Sequence, residues 1–212
     1  MPTAILFDLD GTLVDSRADL ATAVNLVRAD FGLAALPVAQ ITCYVGNGVK
    51  KLLQRALTDA PDTDLALAQA RMREHYLAHV LDETVPYPGV VEGLAQLAAG
   101  GFALGVVTNK PEEPARRICA ALGLAPPLTT IVGGDTCPTL KPSPEPVHFA
   151  LAQLGATTAG AWFVGDNYTD LQAGAAAGLR TCFCRFGFGD AAGEPADVAV
   201  DSFAALVQRL LA

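Results

Sequence analysis

Aromatic and charged residues are both scarce in this 212-residue chain, at 7% and 17%. Basic residues are the scarcer sign, with 14 Lys and Arg against 22 Asp and Glu, for a formal net charge of -8 at pH 7. Such a surface lacks the clustered cations that neutralise phosphates, which excludes general attraction to nucleic acid or to anionic lipid. A small anionic substrate is still admissible, because a local cationic pocket can oppose the overall charge. No apolar run approaches the roughly 20 residues that a membrane helix needs. The first strand-like run, Ala4 to Phe7, leaves no room for a signal peptide ahead of it. The five cysteines, Cys43, Cys119, Cys137, Cys182 and Cys184, are odd in number and contain no Cys-x-x-Cys pair. Neither a disulfide framework nor a zinc site follows from them. The expected location is the reducing cytoplasm. No Gly-x-Gly-x-x-Gly or Gly-x-x-x-x-Gly-Lys-Ser/Thr follows a strand, so nicotinamide and nucleoside-triphosphate chemistry are unsupported.

Half of the residues are hydrophobic, at 51%, and Gly and Ala are abundant, which suits closely packed helices on a buried sheet. Four short apolar runs read as buried parallel strands, each followed by a turn and a helical pattern: Ala4 to Leu9, Ala103 to Thr108, Ala161 to Gly165 and Thr181 to Arg185. A weaker fifth lies around Thr130 to Gly133. Helix starts are expected near Pro88-Gly89, Lys110-Pro111, Ser143-Pro144, Asp170 and Ser202. Strand alternating with helix predicts an α/β fold, a doubly wound parallel sheet of Rossmann-like type. The stretch from Asp15 to Thr84 breaks the rhythm. It carries helical patterns at Asp19 to Phe31, Gly48 to Leu57 and Asp64 to Leu81 and no strand, so residues 15–84 read as a helical insert in a core made of 1–14 and 85–212.

Chemistry concentrates where strands end. In Phe7-Asp8-Leu9-Asp10-Gly11-Thr12-Leu13-Val14-Asp15-Ser16 a hydrophobic strand terminates in two acids one residue apart. Side chains alternate along a strand, so Asp8 and Asp10 project to the same face. Paired carboxylates at a buried sheet edge are costly alone and are what a hard divalent cation binds. Gly11 lets backbone approach a phosphate. Taken alone, the same acids also suit a turn or a cap. Thr108 and Asn109 end a second strand with a hydroxyl and an amide able to hold phosphate oxygens, or simply to cap a helix. Lys141 stands just before a helix start, where a cation is unfavourable unless it serves an anion; an exposed surface lysine is the plain alternative. In Phe163-Val164-Gly165-Asp166-Asn167-Tyr168-Thr169-Asp170, Asp166 is placed to bind metal, and Asp170 to cap the next helix or orient metal-bound water. His75 and His79 share a helix face but lack a third ligand. The loop Arg185 to Gly189 receives no role.

These four segments, in this order, resemble the motifs of the haloacid dehalogenase-like hydrolases. The resemblance implies Asp8 as nucleophile and metal ligand, and Asp10 as general acid and base that ligates through its carbonyl. It further implies Asp166 as the remaining metal ligand, and Thr108 and Lys141 as holders of the phosphoryl group, with Mg²⁺ as the cofactor. The insert matches the position of the family's small helical cap. Its run from Tyr44 to Leu57, Tyr-Val-Gly-Asn-Gly-Val-Lys-Lys-Leu-Leu-Gln-Arg-Ala-Leu, looks most like that of the phosphoglycolate phosphatases. The expected partner is a small phosphomonoester, 2-phosphoglycolate by preference; monomer and homodimer both stay open. A sugar phosphomutase is the alternative, disfavoured because mutase-like caps place a cation where this chain has Asn47-Gly48-Val49. A dehalogenase is disfavoured by Asp10, and a non-catalytic phosphate binder by the complete motif set. Gly46, Asn47 and Gly48 precede a helix and are candidates for an anion site that sets specificity, or only a turn.

Overall fold

The computed structural model describes residues 2–212. In chain order the elements are β1 (Ala4–Phe7), β2 (Val14–Asp15), α1 (Arg17–Asp30), α2 (Val38–Thr42), α3 (Val49–Ala56), α4 (Leu65–His79), β3 (Val85–Pro86), α5 (Val90–Ala99), β4 (Ala103–Val107), α6 (Glu112–Ala121), β5 (Leu128–Val132), α7 (Glu145–Gln153), β6 (Trp162–Gly165), α8 (Tyr168–Ala176), β7 (Arg180–Cys184), β8 (Val198–Val200) and α9 (Phe203–Leu211). Six strands form one parallel sheet in the order β5-β4-β1-β6-β7-β8. The α/β, doubly wound expectation is met.

Alternation along β1 explains the layers. Ile5 and Phe7 enter one core with Leu94 and Leu97 of α5, Ile118 of α6 and Phe203 of α9. Ala4 and Leu6 enter a second core, with Val147 and Leu151 of α7 and Ala173 of α8 on the opposite face. Both faces are thereby dry, and β1 is a continuous apolar run for that reason. From β1 the chain builds outward through β4 and β5 on one side, then returns to lay β6, β7 and β8 on the other. The direction reverses between β1 and β6, and crevices at such reversals, at the carboxyl ends of the strands, are where open α/β sheets bind ligands.

Residues 17–79 carry four helices and no strand. They attach through β2 and β3, which pair antiparallel with Val14 opposite Pro86 and Asp15 opposite Val85, so the chain leaves and returns side by side. The buried Asp19 of α1 fixes the return: its carboxylate accepts from Glu83 N at 2.9 Å, Thr84 N at 2.8 Å and Thr84 Oγ1 at 2.6 Å. Within the helical segment the buried Arg28 guanidinium donates to the carbonyls of Ala34 and Ala56 and pairs with Asp59 at 2.7 Å, joining α1 to the end of α3. Two sequence expectations were incomplete. The β2–β3 ribbon and the edge strand β8 are two or three residues long, too short to show a period, and α2 spans only five residues. No described helix is long and apolar enough to cross a membrane.

Candidate active site

Three strands of the sheet deliver acids and a hydroxyl to the same crevice. Asp8 follows β1 directly and is pinned by its N–H, which donates to the Val164 carbonyl of β6 at 2.9 Å. Asp166 follows β6, and Thr108 follows β4, the other neighbour of β1. Asp8, Asp10, Thr108 and Asp166 all line one cavity of about 250 Å³ between the sheet edge and the helical segment. Asp8 and Asp10 share the cavity, although β1 ends at Phe7 and both acids lie just beyond it.

Asp8, Asp166 and Asp170 each present an oxygen, and the three oxygens lie within 4.8 Å of one another. Desolvation, then the charges of Asp170 and Asp8, push the Asp166 carboxyl well above its ordinary range. Burial likewise raises Asp170 to about 6, against the opposing pull of Lys141. Lys141 is buried here and not on the surface. Its Nζ donates to Val107 O and to Asp170 Oδ1, both at 2.7 Å, and stands 2.9 Å from Asp8 Oδ1. Burial works against its charge, but Asp170 and Asp8 outweigh that and hold its pKa above the lysine value. The approach to Asp8 lacks hydrogen-bond geometry, so among the described residues Asp8 Oδ1 is buried without a hydrogen-bond partner. An orphaned carboxylate oxygen beside a second carboxylate of raised pKa is a donor set that a hard divalent cation fits, and oxygen ligands are what such a cation requires.

Asp170 is committed elsewhere. Its Oδ2 accepts from Asn167 N at 3.0 Å while Asn167 Oδ1 accepts from Thr169 N at 3.2 Å, a reciprocal cap on α8. It thus caps the helix and holds Lys141 toward Asp8, leaving Asp8 and Asp166 as the acids of the group that line the cavity.

Several candidates take up positions the sequence did not foresee. The Gly11 N–H, which a phosphate contact would use, donates to Val14 O at 2.9 Å. Gly11 instead supplies space: at φ +86° it lies so close to Asp166 that any Cβ would meet that carboxylate. The Asn109 amide is also occupied, its Nδ2 donating to Gly46 O at 2.9 Å and Lys141 O at 3.0 Å, its Oδ1 accepting from Lys141 N at 2.9 Å. It buttresses the lysine loop and docks the Gly46-Asn47-Gly48 turn. Asn47 Nδ2 donates to Tyr168 OH at 2.7 Å, and Gly48, at φ +82°, is the N-cap of α3. This turn is a contact between helical segment and core, with Gly46 and Gly48 facing the cavity. His75 and His79 bond separate carboxylates, Asp30 at 2.7 Å and Asp82 at 2.8 Å.

With the site in view, comparison with known proteins is decisive. A family model for haloacid dehalogenase-like hydrolases matches residues 5–184. The chain belongs to the haloacid dehalogenase-like hydrolases. Among its relatives, the phosphoglycolate phosphatase of Rhodospirillum rubrum is 41% identical over 196 residues, covering 89% of this chain and 81% of that protein. The plasmid-encoded phosphoglycolate phosphatase of Cupriavidus necator is 40% identical over 210 residues, covering 96% and 91%. A crystal structure of a phosphoglycolate phosphatase predicted for Haemophilus somnus superposes with a TM-score of 0.92 at 30% identity, covering 98% and 97%.

In this hydrolase the sequence reading passed over Lys110, Ser16, Tyr76 and the loop after β7. Lys110 Nζ is buried and bonds both Asp10 oxygens, at 2.7 and 2.8 Å, while Ser16 Oγ donates to Asp10 Oδ1 at 2.5 Å. A signal existed for Lys110: it stands two residues beyond Thr108, as Asp10 stands two beyond Asp8. The loop Arg185 to Gly189 closes on Asp166, whose Oδ2 accepts from Phe188 N at 3.0 Å and Gly189 N at 2.7 Å. Nothing local in Arg-Phe-Gly-Phe-Gly announces a partner some twenty residues earlier.

Proposed function

We propose that this phosphatase hydrolyses a small phosphomonoester, 2-phosphoglycolate by preference, through an aspartyl-phosphate on Asp8, with Mg²⁺ as its cation. The observation that carries the reading is the buried Oδ1 of Asp8 at the sheet reversal, 2.9 Å from Lys141 Nζ but without a hydrogen bond, in a cavity that Thr108 and Asp166 also line. The names of the relatives support the substrate. Asp8 Oδ, Asp166 Oδ and the Asp10 carbonyl are the proposed ligands. When bound, Mg²⁺ offsets phosphate charge so that an anionic nucleophile can approach.

The chain's own groups do the rest. Asp8 attacks phosphorus, the phosphorus–oxygen ester bond breaks, and Asp10 gives its proton to the departing alkoxide. Asp10 then takes a proton from the water that attacks the aspartyl-phosphate, which releases phosphate and restores Asp8. Lys141, held by Val107 O and Asp170, and the Thr108 hydroxyl would hold the equatorial oxygens, and a lysine already fixed in place needs little reorganisation. Residues 15–84 serve as a cap over the core of 1–14 and 85–212, closing the cavity against water. The five free thiols suit a cytoplasmic setting. Incubation with Mg²⁺ and a panel of phosphomonoesters, scoring free phosphate against isomerised product, tests the reading. Phosphoglycolate as the best hydrolysed ester is expected; isomerisation of a sugar phosphate without phosphate release would replace it with a mutase.

A further inference from the structure

The cavity wall carries a lysine and a tyrosine from different elements side by side. Lys110 reaches it from the end of β4, and Tyr76 reaches it from α4 of the helical segment, with Lys110 Nζ 4.6 Å from the centre of the Tyr76 ring. Both side chains are buried. An ammonium has three N–H donors; the Asp10 oxygens account for two contacts of Lys110, and its remaining N–H lies on the side of Tyr76. The Tyr76 hydroxyl is buried and, among the described residues, has no hydrogen-bond partner. A buried hydroxyl whose proton has no acceptor, beside a cation and on the wall of a cavity that Asp8 also lines, is a donor in want of an anion.

The other cations of the site are worse placed to recognise a second anionic group. Lys141 gives its donors to Val107 and Asp170 and faces Asp8. Arg73 lines the cavity but pairs with Glu113 at 2.7 Å with its side chain 72% exposed, where water screens the charge. The Gly46 carbonyl is used by Asn109, so the turn before α3 is bound to the core.

We propose that Lys110 Nζ and Tyr76 OH together form the seat for the carboxylate of a short phosphorylated acid, and so set the preference for a carboxylated over a neutral-tailed phosphoester. The proposal rests on the reading of the substrate as a small phosphomonoester and names its second recognised group. One donor comes from the core and one from the helical segment, so the carboxylate is bound fully only when the two are together, as they are in this structure.

The test measures binding, so it does not depend on turnover. With Mg²⁺ present, calorimetry compares 3-phosphonopropionate, which carries the carboxylate, with propylphosphonate, which does not, on wild type, Tyr76→Phe and Lys110→Met. Wild type is expected to favour the carboxylated ligand by on the order of ten-fold or more, as for hydrogen bonds to a charged group. Tyr76→Phe keeps the ring against Lys110 and removes only the hydroxyl; it should reduce that advantage, and Lys110→Met should abolish it. Survival of the full advantage in both variants, or no advantage in wild type, overturns the seat. Wild-type hydrolysis of phosphoglycolate against ethyl phosphate separates the two readings. Preferential hydrolysis with an advantage untouched by the variants removes the seat alone, and a variant-sensitive advantage without preferential hydrolysis keeps the seat and changes the substrate.

Discussion

Three carboxylates, Asp8, Asp166 and Asp170, are buried within reach of one another, and one lysine touches two of them. Removing charge at Asp8 should therefore stop chemistry and relieve repulsion together. Asp8→Asn is expected to have no measurable steady-state turnover, because the amide is not a nucleophile, while its metal-free form unfolds at a temperature no lower than wild type. Phosphate release and thermal unfolding check the two halves, and residual turnover above a small fraction of wild type would remove Asp8 from its role. The raised pKa values give a second prediction, with its sign. A folded-state pKa above the unfolded one means that stability is greatest below the unfolded value and declines as pH rises through the folded one. For Asp170 that window runs from 3.8 to about 6, and Asp166, also raised by burial, slopes the same way. Asp15, Asp59 and Glu112, held low by Arg17, Arg28 and Thr136 in turn, slope the other way. The comparison must then be made with and without Mg²⁺: the metal's increment in unfolding temperature should grow as pH rises from 4.5 to 7. An increment independent of pH would contradict the coupling.

Among the elements, the turn before α3 and the loop after β7 are where small changes should read out. Gly48 lies at φ +82° and a Cβ there would stand 3.1 Å from Leu140. Gly48→Val is expected to cost about 1–3 kcal/mol of stability through backbone strain. It should lower turnover of phosphoglycolate far more than that of an activated aryl phosphate, which needs little help from the helical segment. Equal losses would make the turn a hinge only. A Cβ on Gly187 would meet Asp166 Oδ2 at 2.5 Å. Gly187→Ala should therefore displace the loop that donates to Asp166 and weaken Mg²⁺ binding, seen as a raised half-saturating concentration with little change in turnover at saturation. These two elements also mark the limit of what the sequence revealed. Strand ends were legible because apolar runs and the acids that follow them are local facts. The task of Phe186 to Gly189 is set by an aspartate twenty residues away in sequence, and that of Tyr76 by a lysine on another element; neither partner is visible from its own neighbours.

For the whole molecule, chelation should abolish turnover, Mg²⁺ should restore it, and Ca²⁺ should not, because its larger and looser oxygen shell suits the in-line geometry poorly. Full activity in excess chelator would refute a metal requirement. The fold was readable almost throughout because a sheet buried on both faces needs unbroken apolar strands, whereas a two-stranded ribbon or a three-residue edge leaves no period to detect. The central place of β1 has a consequence for synthesis. It is made before every other strand of this sheet, yet its partners β4 and β6 begin only at Ala103 and Trp162. Until β4 is made both of its edges are open to other chains, and until β6 is made one still is. Nascent chains halted before Trp162 should therefore aggregate or occupy chaperones, while the helices of residues 17–79, whose contacts are local, are free to assemble first.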